Sequence, residues 1–302
     1  MSAIFAPNPA RRAAAIASAV FTWCAVSAAQ ACDLTLETPE AIRIEYNPFA
    51  IGPSSGALDI GLRNGSDTPC DLRLRLVDDF DAPLAGVVLG GVGVEFRPRE
   101  ASGLLQRDAE PGTFLLNVPG VGETRAELDA AVVQNAVVEA GEHTADLYLL
   151  IENAEGQLLL PRTPLRLILT STPRAQVNIA GSAGAFGSGL TVEVIDFGLA
   201  ATGVTRRAFV QVRANTESTL TIRSENRGVM RHLEFAETGT VVPYSLELDG
   251  APVDLTELWT RRIDPPRTLE GVSLPMDFTL GEITGQMSGR YEDLITIDVT
   301  PR

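Results

Sequence analysis

Gly52-Pro53-Ser54-Ser55-Gly56 has the Gly-x-Ser-x-Gly spacing of a nucleophile elbow, a turn that needs a strand before the serine and a helix after it. The helix is missing, because Leu58-Asp59-Ile60-Gly61-Leu62 alternates and reads as a strand, so Ser54 reads as a loop residue. The two histidines, His143 and His232, fall in different predicted domains, which leaves a catalytic triad or a zinc site poorly supplied. The run from Gly181 to Gly189 lacks the lysine of a phosphate-binding loop, and the acidic pair Asp78-Asp79 has no second constellation beside it to suggest a glycosidase. The expectation is a protein without catalytic residue, cofactor or metal. The remaining reactive side chains are thiols, at Cys24, Cys32 and Cys70.

Arg11-Arg12, the uncharged stretch from Ala13 to Val26 and the small-x-small site Ala29-Gln30-Ala31 have the three parts of a secretory signal peptide. Cleavage before Cys32 removes Cys24 and leaves Cys32 and Cys70, an even pair in an oxidising compartment, for which a disulfide is the favoured state. A lipid on Cys32 is the alternative, disfavoured by Gln30 and by the lack of a leucine ahead of it. Every basic residue is an arginine, and the formal charge of −15 becomes −17 without Arg11 and Arg12. Nucleic acid is not expected as a partner, because its binders need basic stripes to displace counterions.

The elements that must carry these residues are short alternating segments separated by Gly, Pro, Asn and Asp. Leu72-Arg73-Leu74-Arg75-Leu76, Phe209-Val210-Gln211-Val212 and Tyr244-Ser245-Leu246-Glu247-Leu248 are examples, and their spacing predicts antiparallel β-sandwiches. Two stretches read as helical: Thr124-Arg125-Ala126-Glu127 as a capping box opening an Ala/Val-rich run to Val138, and Asp254 to Ile263 with Leu255, Leu258 and Trp259 at helical spacing. Landmarks recur in order at an offset of about 150 residues, which argues for duplicated domains. Asn47-Pro48-Phe49 answers to Asp196-Phe197-Gly198, and Gly141-Glu142-His143 to Gly289-Arg290-Tyr291. The predicted division is a signal peptide at 1–31, a first sandwich at 32–172, a linker at 173–189 and a second sandwich at 190–302. Val177, Ile179 and the strand from Leu165 to Leu169 sit where the first domain's final strand would fall, so that domain is expected to be completed by its own chain.

The chain closes on Ile295, Ile297 and Val299 alternating with Thr296, Asp298 and Thr300, a strand with one buried and one wet face. A terminal strand of this kind is expected to find a hydrogen-bond partner elsewhere.

Ile195-Asp196-Phe197-Gly198, Val242-Pro243-Tyr244-Ser245-Leu246 and the terminal Gly289-x-Tyr291-x-Asp293 strand, in this order, resemble the spore coat protein U-type domain, the pilin module of archaic chaperone–usher pili. The resemblance covers roughly residues 190–302. Residues 32–172 resemble it more faintly, with Cys70 later than the family's second cysteine and an apolar insert from Pro83 to Phe96. The resemblance implies immunoglobulin-like sandwiches, the second lacking its final strand. A periplasmic chaperone, and then a neighbouring pilin subunit at the outer-membrane usher, would supply that strand by β-augmentation. Phe197, Tyr291, Ile295, Ile297 and Val299 would line or flank the acceptor groove. Because Cys32 is flush with the cleavage site, no donor extension is expected ahead of it, the property of a tip subunit exported to a pilus on the cell surface. Residues 32–172 would then be a head that binds a host or abiotic surface, with Val87, Val88, Leu89, Val92 and Val94 of the insert as its adhesive loop; a buried hairpin is the competing reading. Two other classes remain: a periplasmic pilus chaperone, with basic anchors in an interdomain cleft, and an exported carbohydrate-active or binding protein with a polar pocket.

Overall fold

The computed structural model describes residues 32–99, 105–106, 110–133, 136–180, 186 and 192–302. The signal-peptide reading at 1–31 and nearly all of the run 181–189 lie outside the described residues. Within them all regular structure is β, apart from one 3-10 turn at Ala236–Thr238.

The first sandwich holds β1 (Leu34–Glu37), β2 (Ala41–Tyr46), β3 (Ser55–Asn64), β4 (Cys70–Val77), β5 (Gly86–Leu89), β6 (Val92–Pro98), β7 (Leu105–Gln106), β8 (Thr113–Val118), β9 (Gly122–Val132), β10 (Gly141–Glu152) and β11 (Thr163–Ser171). Its sheets run in the orders β1-β3-β9-β6-β5 and β2-β11-β10-β4-β8-β7. Alternation drives the assembly. Leu58, Ile60 and Leu62 of β3 point inward while Asp59 and Arg63 point out, and they share a core with Leu72, Leu74 and Leu76 of β4 and Leu165, Leu167 and Leu169 of β11. Each such buried side chain contributes about 1.5–3 kcal/mol. One pairing departs from the antiparallel expectation, since β2 runs parallel to β11. The chain switches sheets between β1 and β2, which brings β2 alongside β11.

Cys32 is bonded to Cys70 across a separation of 38 residues, tying the start of this sandwich to the first residue of β4. Closing a loop of this size removes unfolded-state entropy worth roughly 3–4 kcal/mol in the chain-entropy model. Cys70→Ala is therefore expected to lower the melting temperature by on the order of 10 °C in calorimetry. An unchanged thermogram with and without reductant would sink this expectation.

The two helical expectations are overturned. Residues 124–132 belong to β9, a central strand hydrogen-bonded to β3 and β6, in which Ala126, Leu128 and Ala130 are buried and Arg125, Glu127 and Asp129 face outward. Period two with partners on both sides outweighs alanine's helix propensity. At Asp254 the carboxylate accepts from both the amide and the hydroxyl of Thr256, a turn that leads into a strand at Trp259–Ile263.

The second sandwich holds β12 (Ala175–Ala180), β13 (Thr205–Ala214), β14 (Ser218–Ser224), β15 (Val229–His232), β16 (Val241–Leu248), β17 (Ala251–Val253), β18 (Trp259–Ile263), β19 (Val272–Leu280), β20 (Tyr291–Glu292) and β21 (Ile295–Pro301). One sheet runs β12-β13-β19-β16-β15-β20 with β17 on β16; the other has only β18-β14-β21. Its core gathers Val210, Val212, Leu220, Ile222, Leu246 and Phe278. The expectation that Val177 and Ile179 complete the first domain is corrected here. They lie in β12 and pair with Val212 and Val210 of β13, so this strand opens the second sandwich, while the first ends its own sheet with β11.

The seam between the sandwiches is polar and fully bonded at Asn215, which has no exposed surface. Its Nδ2 donates to Ser171 Oγ at 3.1 Å and to the Thr172 carbonyl at 2.9 Å, and its Oδ1 accepts from the Arg174 amide at 2.7 Å. Beside it Arg213 lies between the rings of Phe49 and Phe186, and burial lowers its pKa.

Candidate functional site

The three-stranded sheet stops early. β21 pairs antiparallel with β14, placing Ile297 opposite Ile222 and Val299 opposite Leu220, and among the described strands nothing pairs with its other edge. Ile295, Ile297 and Val299 are half-buried and pack on the second core. Across from β21 runs the segment 192–197, which belongs to no strand. Between the two lies an open groove of about 490 Å³ with Ala208, Met276 and Phe278 among its lining.

Phe197, Tyr291, Ile295 and Ile297 line this groove, and Val299 lies further along β21, packed on the same core. Tyr291 is positioned through His232, whose ring meets it edge-on at 5.0 Å. His232 is buried; its Nδ1 accepts from the Glu234 and Phe235 amides at 3.1 and 3.2 Å, which leaves the proton on Nε2 to be donated to the Ser288 carbonyl. The neighbouring Gly289 has φ of 153°, and a Cβ there would lie 1.9 Å from His232 Nε2, so no larger residue fits. Gly141, which opens β10, shares the positive φ, at 133°, but has open space where a Cβ would lie. The other repeated landmark also shares its geometry: Asn47 Oδ1 accepts from the Phe49 amide and Asp196 Oδ1 from the Gly198 amide.

The corner from β20 to β21 is held by Asp293, whose role as an acceptor the spacing did not reveal. It accepts from Ser224 Oγ at 2.6 Å, Tyr244 Oη at 2.5 Å and the amides of Asn226 and Leu294 at 2.9 Å each. Burial, and then the Asp293 hydrogen bond, push the Tyr244 phenol well above its ordinary pKa, so it stays a donor. Tyr244 and Asp293 also line the groove, so this network shapes its wall.

The adhesive-loop expectation fails for most of its residues. β5 and β6 form a hairpin in which Val87 pairs with Val94 and Leu89 with Val92. Leu89, Val92 and Val94 are at most 3 % exposed and Val87 packs against the first core; Val88 alone faces solvent, at 75 %. Alternation within the hairpin sends the apolar row inward. Ser54 lies in a loop ahead of β3, with no helix after it. Half-buried His143 bonds the Glu139 carbonyl, and among the described residues no His/Cys/Asp/Glu group of three could hold a metal.

No protein-family model and no curated protein matches this chain. Solved structures do, at low identity. One is the CsuC–CsuE chaperone–tip adhesion subunit pre-assembly complex from archaic chaperone–usher Csu pili of Acinetobacter baumannii: 10 % identity, TM-score 0.44, covering 88 % of this chain and 99 % of that one. CfaE, the adhesive subunit of CFA/I fimbria of enterotoxigenic Escherichia coli, is similar at 14 % identity and TM-score 0.39, covering 88 % and 94 %. A chaperone–tip adhesin complex of CFA/I fimbriae gives 12 % identity and TM-score 0.36, covering 88 % and 97 %.

Proposed function

We propose that this chain is a non-enzymatic structural and adhesive subunit of a chaperone–usher pilus, whose spore coat U-type second sandwich accepts a donor strand along β21. The observation that carries the reading is the single-sided β21: an alternating apolar row, half-buried, on a sheet edge without a partner and beside an open groove. An inserted strand satisfies the edge amides and carbonyls and covers Ile295, Ile297 and Val299 from the open side. A periplasmic chaperone, an outer-membrane usher and a neighbouring pilin are the partners this reading requires.

The start of the first sandwich supports a place at the tip. Cys32 is held by its disulfide and β1 begins at Leu34, so a chain cleaved before Cys32 accepts a strand without offering one. Residues 32–172 are then the head that meets a host or abiotic surface, and the pilin base starts with β12 at Ala175 and runs to 302.

The test is thermal stability of residues 32–302 with a synthetic peptide alternating Val and Thr. A ligand that binds only the folded state at about a hundred times its Kd stabilises by about 2.7 kcal/mol, so the melting temperature should rise by several degrees. A stable monomer indifferent to every alternating peptide would mean that the sandwich is complete and would end the proposal.

A further inference from the structure

The segment from Val192 to Phe197 borders the groove and is anchored at its C-terminal end. Arg206 donates from Nε to the Asp196 carbonyl at 3.2 Å and from Nη2 to the Phe197 carbonyl at 3.3 Å, and Ile195 and Phe197 pack on the core. At the other end Val192 and Val194 are 77 and 75 % exposed, with Glu193 exposed between them. Two β-branched residues flanking a charged one, outside any ladder and across from an unpaired strand edge, have the pattern of a strand awaiting a partner.

We propose that residues 192–194 are an internal strap. Without a donor strand the segment exchanges between the open position seen here and a closed one, swinging about the core-packed stretch from Ile195 to Phe197 onto the open edge of β21, covering Ile295 and Ile297 with Val192 and Val194 and leaving Glu193 to water. A donor strand must displace it. This inference rests on the acceptor reading of the groove. The pivot keeps the strap at high effective concentration beside β21, which favours closure with few contacts. The segment's absence from any ladder in this structure keeps it displaceable.

The experiment compares residues 32–302 with the double variant Val192→Asp, Val194→Asp in two measurements. The first is amide exchange along β21 with no peptide present. The strap predicts exchange about tenfold faster in the variant, slowed again by a synthetic peptide of residues 190–197. Equal exchange in the two proteins overturns it. The second is binding of the alternating Val/Thr peptide, which the strap predicts to be about tenfold tighter in the variant because no closed state competes. Unchanged or weaker binding overturns it. The near-isosteric pair Val192→Thr, Val194→Thr guards against unfolding and should show the same directions; wild-type behaviour in that pair also overturns the strap. If the peptide binds neither protein, the acceptor reading fails, while amide exchange still decides the strap.

Discussion

Ile297→Asp is expected to abolish donor-strand binding while leaving the free protein folded. In the free chain Ile297 is half-buried at an open groove, so a carboxylate there still reaches water and the loss of stability is about 1–2 kcal/mol. Once a strand fills the groove the same carboxylate is enclosed against Ile222, its cross-strand neighbour, and an unpaired buried charge costs several kcal/mol. At 1.4 kcal/mol per factor of ten, affinity should fall by more than about a hundredfold. Titration calorimetry with the alternating peptide reads the effect. Thr296→Asp is the control, because Thr296 is exposed on the opposite face of β21 and should bind as the wild type does. Equal binding by Ile297→Asp and the wild type would place the peptide somewhere other than this edge.

The contrast between those neighbours was legible in the sequence, because alternation in Ile295-Thr296-Ile297-Asp298-Val299 is a local property and the strand follows from it. Other features were masked by competing local signals. In β9 the buried row Ala126, Leu128 and Ala130 alternates as strictly as β21 does, but Thr124 and Glu127 mimic a helix cap, and alanine's preference for helix is offset only by β3 and β6 on either side. The same holds at Asp254, where turn hydrogen bonds replace the expected first helical turn.

Which partner a strand takes is not a local property at all. Val177 and Ile179 announce a strand, yet whether it closes the first sandwich or opens the second depends on β13, some thirty residues on, as an order of magnitude for a non-local pairing. The insert shows the same limit. Val87 to Val94 read equally as an exposed apolar loop or a buried hairpin, and only the core supplied by other strands selects the second. Four of the five expected groove residues lie together because they sit on the strand, its Gly-x-Tyr entry and one landmark turn.

Asp293→Ala is expected to cost the second sandwich a large part of its stability. The carboxylate is the common acceptor for two hydroxyls and two amides, and its removal leaves the 5 %-exposed Ser224, the Tyr244 phenol and the Asn226 amide without that partner. Losing the acceptor of several part-buried donors costs about 3 kcal/mol, or on the order of 10 °C in melting temperature. Asp293→Asn keeps an oxygen for the amides and should lose less than half as much. The phenol gives an independent readout. Burial and Asp293 both raise its pKa, burial the more, so Asp293→Ala should bring the Tyr244 titration down while leaving it above the ordinary tyrosine value. Because this network fixes the turn from which β21 departs, the same variant should weaken peptide binding even below its melting range. Alanine and asparagine variants of equal stability, with an unmoved tyrosine titration, would mean that the corner is held by its strands rather than by Asp293.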